Sequence, residues 1–287
     1  MSTAIAAGAP PPLPELRLCG IPAASRARYA GDRFSFMEAG DPALPPLVLL
    51  HGVGANSMHW RFQFAGLSDR WRVVAWNAPG YVLSDNLLAE TPTGRNYADA
   101  LADFLDSLQL CRVHLFGNSF GTRVAQFLAL YHPDRVGRLV LTGTGIGRES
   151  MPEDEKAKAI AARAAQIAAG GYGFGARVAA LLGSRAGADT ARLVQDVLRA
   201  TQPRGFMQAV RFGLNSPYTP AHADRLTMPV LLIQGEEDRV NPAESNAAVL
   251  ARALPQARLI MMPGVGHLPE VEAWQEVNTA VRAFLLL

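Results

Sequence analysis

The sequence predicts an α/β fold, a mostly parallel sheet covered by helices on both faces, and three observations carry that expectation. From residue 33 onward, short apolar runs alternate with longer segments of helical periodicity, the pattern of strand, crossover helix and parallel strand. Most of these runs are continuously apolar, as strands buried on both faces are. The 287 residues, 49% of them hydrophobic, suffice for one large core that carries an insertion.

The elements follow in order. Residues 1–20 have no basic start and no unbroken apolar stretch, and prolines interrupt them. They read as a loosely ordered or surface-packed leader rather than a signal peptide. Arg33 to Glu38 alternates, with Phe34 and Phe36 on one side, as a half-buried edge strand does. Leu47 to Leu50, Val73 to Trp76, Val113 to Phe116, Leu139 to Leu141, Val230 to Ile233 and Leu259 to Met262 continue the series of strands. Helices are predicted over Tyr97 to Leu108, where Leu101, Phe104, Leu105 and Leu108 share a face, and over Phe120 to Tyr131, where Val124, Phe127, Leu128 and Tyr131 do. Val271 to Leu287 reads as a closing helix. Between Thr144 and Pro220 there is no convincing strand, only alanine-rich helical patterns and the glycine-rich run from Gly170 to Gly175. The expected organisation is therefore a core of residues 21–143 and 221–287, with a helical insertion, 144–220, capping one end of the sheet and hinged at those glycines. No internal repeat is present.

Composition narrows the function classes. The formal charge is +2, with acidic and basic residues interspersed, so nothing resembles an electrostatic footprint for nucleic acid or an anionic membrane. No run approaches the roughly 18 apolar residues of a membrane span. Cys19 and Cys111 lie far apart and read as unpaired thiols, neither a disulfide framework nor a metal site. The expectation is a cytoplasmic enzyme with a small-molecule substrate, its oligomeric state, monomer or homodimer, left open.

One constellation bears chemistry. Gly117-Asn118-Ser119-Phe120-Gly121 follows a strand and opens a helix, the context of a nucleophile elbow, and the flanking glycines permit a tight turn that lifts one hydroxyl from the sheet edge. A serine hydroxyl needs a base to take its proton and a third group to hold that base in the correct tautomer. His267, on the glycine-rich loop after the last predicted strand, is the candidate base. Asp238, a few residues beyond Ile233 in Gln234-Gly235-Glu236-Glu237-Asp238, is the candidate orienting carboxylate, with Glu236 and Glu237 beside it. Both loops leave the same carboxyl edge of the sheet as Ser119, in the chain order Ser, Asp, His that such a fold uses. The oxyanion formed on attack needs two donors, and the backbone amides of Phe120 and of Val53, in the loop His51-Gly52-Val53-Gly54, are the candidates.

Together with Asn77-Ala78-Pro79-Gly80-Tyr81 and Gly266-His267, these motifs resemble the α/β-hydrolase superfamily over nearly the whole chain after residue 30. The resemblance implies an eight-stranded sheet, a helical lid after the sixth strand, and a Ser119, Asp238, His267 triad that uses no cofactor and no metal. Within the superfamily the chain is similar to small esterases, lactone hydrolases and carbon-carbon bond hydrolases. Asn77 stands where many relatives have aspartate, and Val82 where a second glycine is common, so the loop after Trp76 is expected to differ in shape. Serine at 119 sets the chain apart from the haloalkane dehalogenases and epoxide hydrolases, whose nucleophile is aspartate. Leu268, where carbon-carbon bond hydrolases often have tryptophan, argues against that group.

The leading expectation is thus a carboxylic-ester or lactone hydrolase acting through an acyl-enzyme on a small to medium, largely apolar substrate. Its rivals are a hydrolase of carbon-carbon bonds in vinylogous dicarbonyl acids, a small-molecule receptor with slow turnover, and a cofactor-independent oxygenase. Trp60, Trp71 and Trp76 read as core, His51 as support for the oxyanion loop, His59 as a residue near the site's mouth, and His114 as a satisfied core histidine. His132 ends a helix. Arg177, Arg185 and Arg211 are the insertion's candidates for a substrate carboxylate, or are simply solvated.

Overall fold

In the computed structural model of the chain, which describes residues 10–169 and 174–287, the apolar runs pair into one eight-stranded sheet. In chain order the elements are β1 (Leu16–Gly20), β2 (Arg33–Ala39), β3 (Pro46–Leu50), α1 (Arg61–Leu67), β4 (Arg72–Trp76), α2 (Gly94–Ser107), β5 (Val113–Asn118), α3 (Phe120–Tyr131) and β6 (Val136–Thr142). Four helices follow, α4 (Glu153–Ala168), α5 (Phe174–Leu181), α6 (Ala188–Arg199) and α7 (Pro203–Asn215). The chain closes with β7 (Val230–Gly235), α8 (Ala247–Ala253), β8 (Ala257–Met262), α9 (Pro269–Glu272) and α10 (Trp274–Leu285). Across the sheet the order is β1-β2-β4-β3-β5-β6-β7-β8. The β1/β2 and β2/β4 pairs are antiparallel and all others parallel.

The continuous apolar runs have the cause expected of them. Alternate side chains of β3 enter two separate cores. Val48 and Leu50 meet Leu101 and Phe104 of α2 and Val124 and Leu128 of α3 on one face. Leu47 and Leu49 meet Phe64 and Leu67 of α1 and Val277 and Val281 of α10 on the other. A strand covered on both faces has no side left for polar residues. Trp60, Trp71 and Trp76 are all core, as predicted. The α2 helix starts at a capping box, in which the Thr93 hydroxyl accepts from the Asn96 amide and the Asn96 side chain accepts from the Thr93 amide.

Two expectations need correction. The predicted leader runs to residue 20, yet Leu16–Gly20 forms edge strand β1 against β2, with Leu18 opposite Ser35. Its side chains are mostly exposed, so no apolar pattern marks it; only the ladder with β2 defines it. The closing helix is broken at Ala273 (φ −130°, ψ 41°) into α9 and α10, and begins at Pro269. Of the glycine run proposed as a hinge, residues 170–173 lie outside those described.

The helices α4 to α7 occupy the interval between β6 and β7, α4 packing on α7 and α5 on α6. An apolar cluster of Val178, Leu181, Leu182, Val194 and Leu198 ties them to Phe62, Leu268 and Val271 of the sheet domain. Among the described residues, no helix is long and apolar enough to cross a membrane.

Candidate active site

Ser119 sits between β5 and α3 with φ 51° and ψ −111°, a backbone region that L residues rarely adopt. The neighbouring glycines are sterically required. A Cβ on Gly117 would lie 2.7 Å from the backbone of Gly121, and one on Gly121 would lie 1.9 Å from the Leu50 carbonyl oxygen. The Ser119 amide donates to the Thr142 carbonyl (3.0 Å), and the Thr122 hydroxyl donates to the Ser119 carbonyl (2.6 Å). The turn is therefore held on both sides, and Ser119 lines a cavity of about 460 Å³.

His267 lines the same cavity. Its Nδ1 lies 2.8 Å from Asp238 Oδ2, and both side chains are buried. A carboxylate accepts only, so Nδ1 carries the proton and Nε2 is left as the basic nitrogen. Asp238 is fixed in turn: the amides of Val240 and Asn241 donate to Oδ1 (2.9 Å each) and Gln234 Nε2 donates to Oδ2 (2.7 Å). Burial pushes its carboxyl up, but the hydrogen bond and charge of His267 with the two amides outweigh that and hold it below the usual carboxylate range. The His267 backbone is clamped as well, its amide donating to Leu181 O (2.8 Å) and its carbonyl accepting from Asn118 Nδ2 (3.1 Å). Gly143 (φ 53°) lies against the ring, where a Cβ would come 2.9 Å from Cε1. Of the three neighbouring carboxylates only Asp238 reaches His267. Glu237 accepts from the Ser184 amide and hydroxyl instead. No hydrogen bond joins Ser119 Oγ to His267 Nε2 in this structure; such contacts commonly tighten only when substrate binds.

The loop after β3 comes against the elbow: a Cβ on Gly52 would lie 3.3 Å from Ser119 Cβ. Val53 and Phe120 both line the cavity, and among the described residues neither backbone amide has an acceptor. His51 holds this loop. Its Nε2 accepts from the Ala78 amide (3.1 Å), so Nδ1 is the donor to the Gly52 carbonyl (2.9 Å). Burial pushes its pKa down to about 4, which keeps the ring neutral. Asn77 joins the stretch after β3 to strand β2, its Oδ1 accepting from the Ser57 amide (2.8 Å) and its Nδ2 donating to Ser35 Oγ (3.0 Å). Val82, in the glycine-favoured place, has φ 54°.

Other predicted residues divide. His59 lines the cavity and is buried against Glu270, Nε2 to Oε1 2.6 Å, a partner that the sequence did not signal. His114 is not the satisfied histidine expected, since its Nδ1 is buried without a partner among the described residues. Arg185 and Arg211 are surface residues paired with Glu276 and Glu90, whereas Arg177 enters the cavity wall. That wall is apolar over Ile146, Leu181, Val194, Val197, Leu198 and Phe212, but Arg148, Arg163 and Arg177 interrupt it, so the insertion's inward face is less uniformly apolar than expected. Sequence reasoning missed Gln234 and Asn118. A polar residue ending the otherwise apolar Val230 to Ile233 run was the available signal for Gln234; Asn118 has no comparable one. Among the described residues, no three His, Cys, Asp or Glu side chains gather as a metal ion would need.

Comparison with known proteins agrees with this architecture. The family model described as alpha/beta hydrolase fold matches residues 45–272. A dihydrolipoyllysine-residue acetyltransferase component of the acetoin cleaving system from Pseudomonas putida is 27% identical over 271 residues, 92% of this chain and 70% of that protein. A 2-hydroxy-6-oxononadienedioate/2-hydroxy-6-oxononatrienedioate hydrolase from Burkholderia vietnamiensis is 39% identical over 109 residues, 37% of this chain and 38% of that protein. Among solved structures, a hydrolase from Pseudomonas aeruginosa superposes with TM-score 0.76 at 27% identity, covering 88% of this chain and 94% of that one. With the sheet, the elbow and the family match in agreement, the chain belongs to the α/β-hydrolase fold family and is a hydrolase of that fold.

Proposed function

We propose that the protein is a serine hydrolase that cleaves a carboxylic ester or lactone through an acyl-enzyme, with Ser119 as nucleophile, His267 as base and Asp238 as its orienting carboxylate. The observation that carries this reading is the buried His267–Asp238 pair, whose hydrogen bond leaves the basic Nε2 on a ring that shares a cavity with Ser119. In this mechanism Ser119 Oγ attacks the substrate carbonyl as its proton passes to His267 Nε2. Asp238 stabilises the imidazolium without itself taking the proton. The oxyanion is held by the unpaired amides of Val53 and Phe120. His267 then gives its proton to the leaving alkoxide, and later activates the water that releases the acid.

A fluorophosphonate probe should label Ser119, and Ser119→Ala should lose the label together with at least about 1,000-fold in hydrolysis of chromogenic esters. Ester turnover that survives this substitution at the wild-type rate rejects the mechanism. A second reading, a carbon-carbon bond hydrolase, is favoured by the 39% identity over 109 residues to a hydrolase of that kind. It requires turnover of a vinylogous dicarbonyl acid in preference to esters, which a direct comparison of kcat/KM decides. A receptor would instead release product from one bound ligand very slowly. The acyl-enzyme reading places the insertion 144–220 over the site as a cap.

A further inference from the structure

The cavity wall carries a charge imbalance that acyl transfer does not explain. Arg163 of α4 and Arg177 of α5 both line it, and among the described residues neither has a carboxylate within ion-pair distance. Residues 1–9 and 170–173 contain no aspartate or glutamate that would change this. Surface arginines of the same helical segment behave differently: Arg185, Arg192, Arg199, Arg204 and Arg211 each meet an acidic side chain. The pairing is thus absent where the arginine faces the cavity.

Arg123 and Arg148 line the cavity too, held by Thr219, Gln126 and the Pro217 carbonyl and by Asn241 and the Val240 carbonyl, and among the described residues Arg163 and Arg177 likewise have only neutral partners. Arg163 donates to Gln166 Oε1 (3.0 Å), on its own helix. Arg177 donates to the Val53 carbonyl (2.6 Å) and lies over the Phe206 ring, 5.2 Å from its centroid. Its Nε is buried with no acceptor among the described residues. Burial, and next the like charge of Arg163, push the Arg177 pKa down to about 10, so the guanidinium still carries its charge at neutral pH. Two cations lining one partly desolvated wall without a counter-ion are unfavourable unless an anion joins them.

We infer that Arg163 and Arg177 form a carboxylate-binding subsite, and that the substrate is an ester or lactone bearing a free carboxylate a short chain away from the reacting carbonyl. This rests on the serine-hydrolase reading and deepens it. Among the described residues Arg177 Nη1 has no acceptor, so its N–H groups are open to a carboxylate entering the cavity that Arg177 lines. Because the same guanidinium holds the Val53 carbonyl, the anion is tied to the loop whose amide receives the oxyanion. The apolar wall then takes the carbon chain between the two ends.

The test compares mono-4-nitrophenyl glutarate with its neutral methyl ester. Wild-type enzyme should favour the acid by about tenfold or more in kcat/KM, the worth of one charge-assisted hydrogen bond. Arg177→Met and Arg163→Met should each cut that ratio at least about fivefold, and Arg177→Lys, which keeps the charge but not the planar fork, should retain only part of it. Arg163 does not touch the Val53 loop, so its variant tests the subsite even if Arg177→Met fails to fold. As a readout without turnover, glutarate should raise the Tm of the Ser119→Ala protein and not that of the Ser119→Ala/Arg163→Met protein. A ratio at or below one in wild type, or a ratio that both methionine variants leave intact, overturns the subsite. Fluorophosphonate labelling at Ser119 separates the two readings: a labelled enzyme with no acid preference loses only the subsite, whereas an unlabelled one loses the mechanism.

Discussion

Val82 and Ser119 both hold a positive φ, 54° and 51°, but the strain has different consequences. At Ser119 it belongs to the tight turn between β5 and α3 that sets the residue in the cavity wall. At Val82 nothing in the structure uses it, and a β-branched residue there costs about 1–3 kcal/mol. Glycine relieves that strain while adding about 0.5–1 kcal/mol of unfolded-chain entropy. Val82→Gly is therefore expected to raise Tm by about 1–3 °C in calorimetry, and an unchanged or lower Tm would show the turn to be unstrained. Asp238 supports two predictions. Asparagine in its place offers an amide donor where His267 Nδ1 must donate, which favours the wrong tautomer, and kcat should fall roughly 1,000-fold or more. The carboxyl of Asp238 is held below its unfolded value, near 4. It thus contributes stability that is fully present above that value and is lost as pH falls through the lower folded value. Acid titration of Tm should accordingly fall less steeply for Asp238→Asn than for wild type.

At the scale of elements, the elbow depends on how closely α3 approaches β3. The space for a Cβ at Gly121 is already taken by the Leu50 carbonyl, which cannot move without breaking the β3–β5 ladder. Gly121→Ala should destabilise by at least about 2 kcal/mol, measured by denaturant unfolding, and a wild-type midpoint would refute the close packing. Most elements were legible because burial on both faces writes a continuous apolar run, as in β3, β5 and β7. Where burial is not the cause, the sequence is silent. Strand β1 is exposed and exists through its pairing with β2, and the break between α9 and α10 leaves no proline or glycine at Ala273 to announce it. The candidate site was legible for a related reason. Ser119, Asp238 and His267 each follow a readable strand, so their shared edge could be deduced, whereas Glu270 meets His59 across 211 positions with no local pattern.

Across the whole molecule, the segment between β6 and β7 grips the loop that carries Val53. Asn56 Nδ2 donates to Val197 O (2.9 Å), Arg177 to Val53 O (2.6 Å) and the Thr201 hydroxyl to Gly54 O (2.5 Å). Rigidity of an oxyanion donor matters because a shift of its amide weakens a contact made mainly in the transition state. Thr201→Val keeps the side-chain shape and removes the hydroxyl donor. It should lower kcat about three- to tenfold with little change in KM, and a change confined to KM would assign Thr201 to substrate binding. By itself the sequence determined the α/β class and the identity and order of the three proposed catalytic side chains, because hydrophobic periodicity and turn chemistry are local properties. The tertiary structure alone decided which arginines face the cavity, which carboxylate meets His59, and how the helical segment holds the Val53 loop. Those depend on the orientation of helices packed from distant parts of the chain, and half a turn of a helix separates its solvated face from the one toward the cavity.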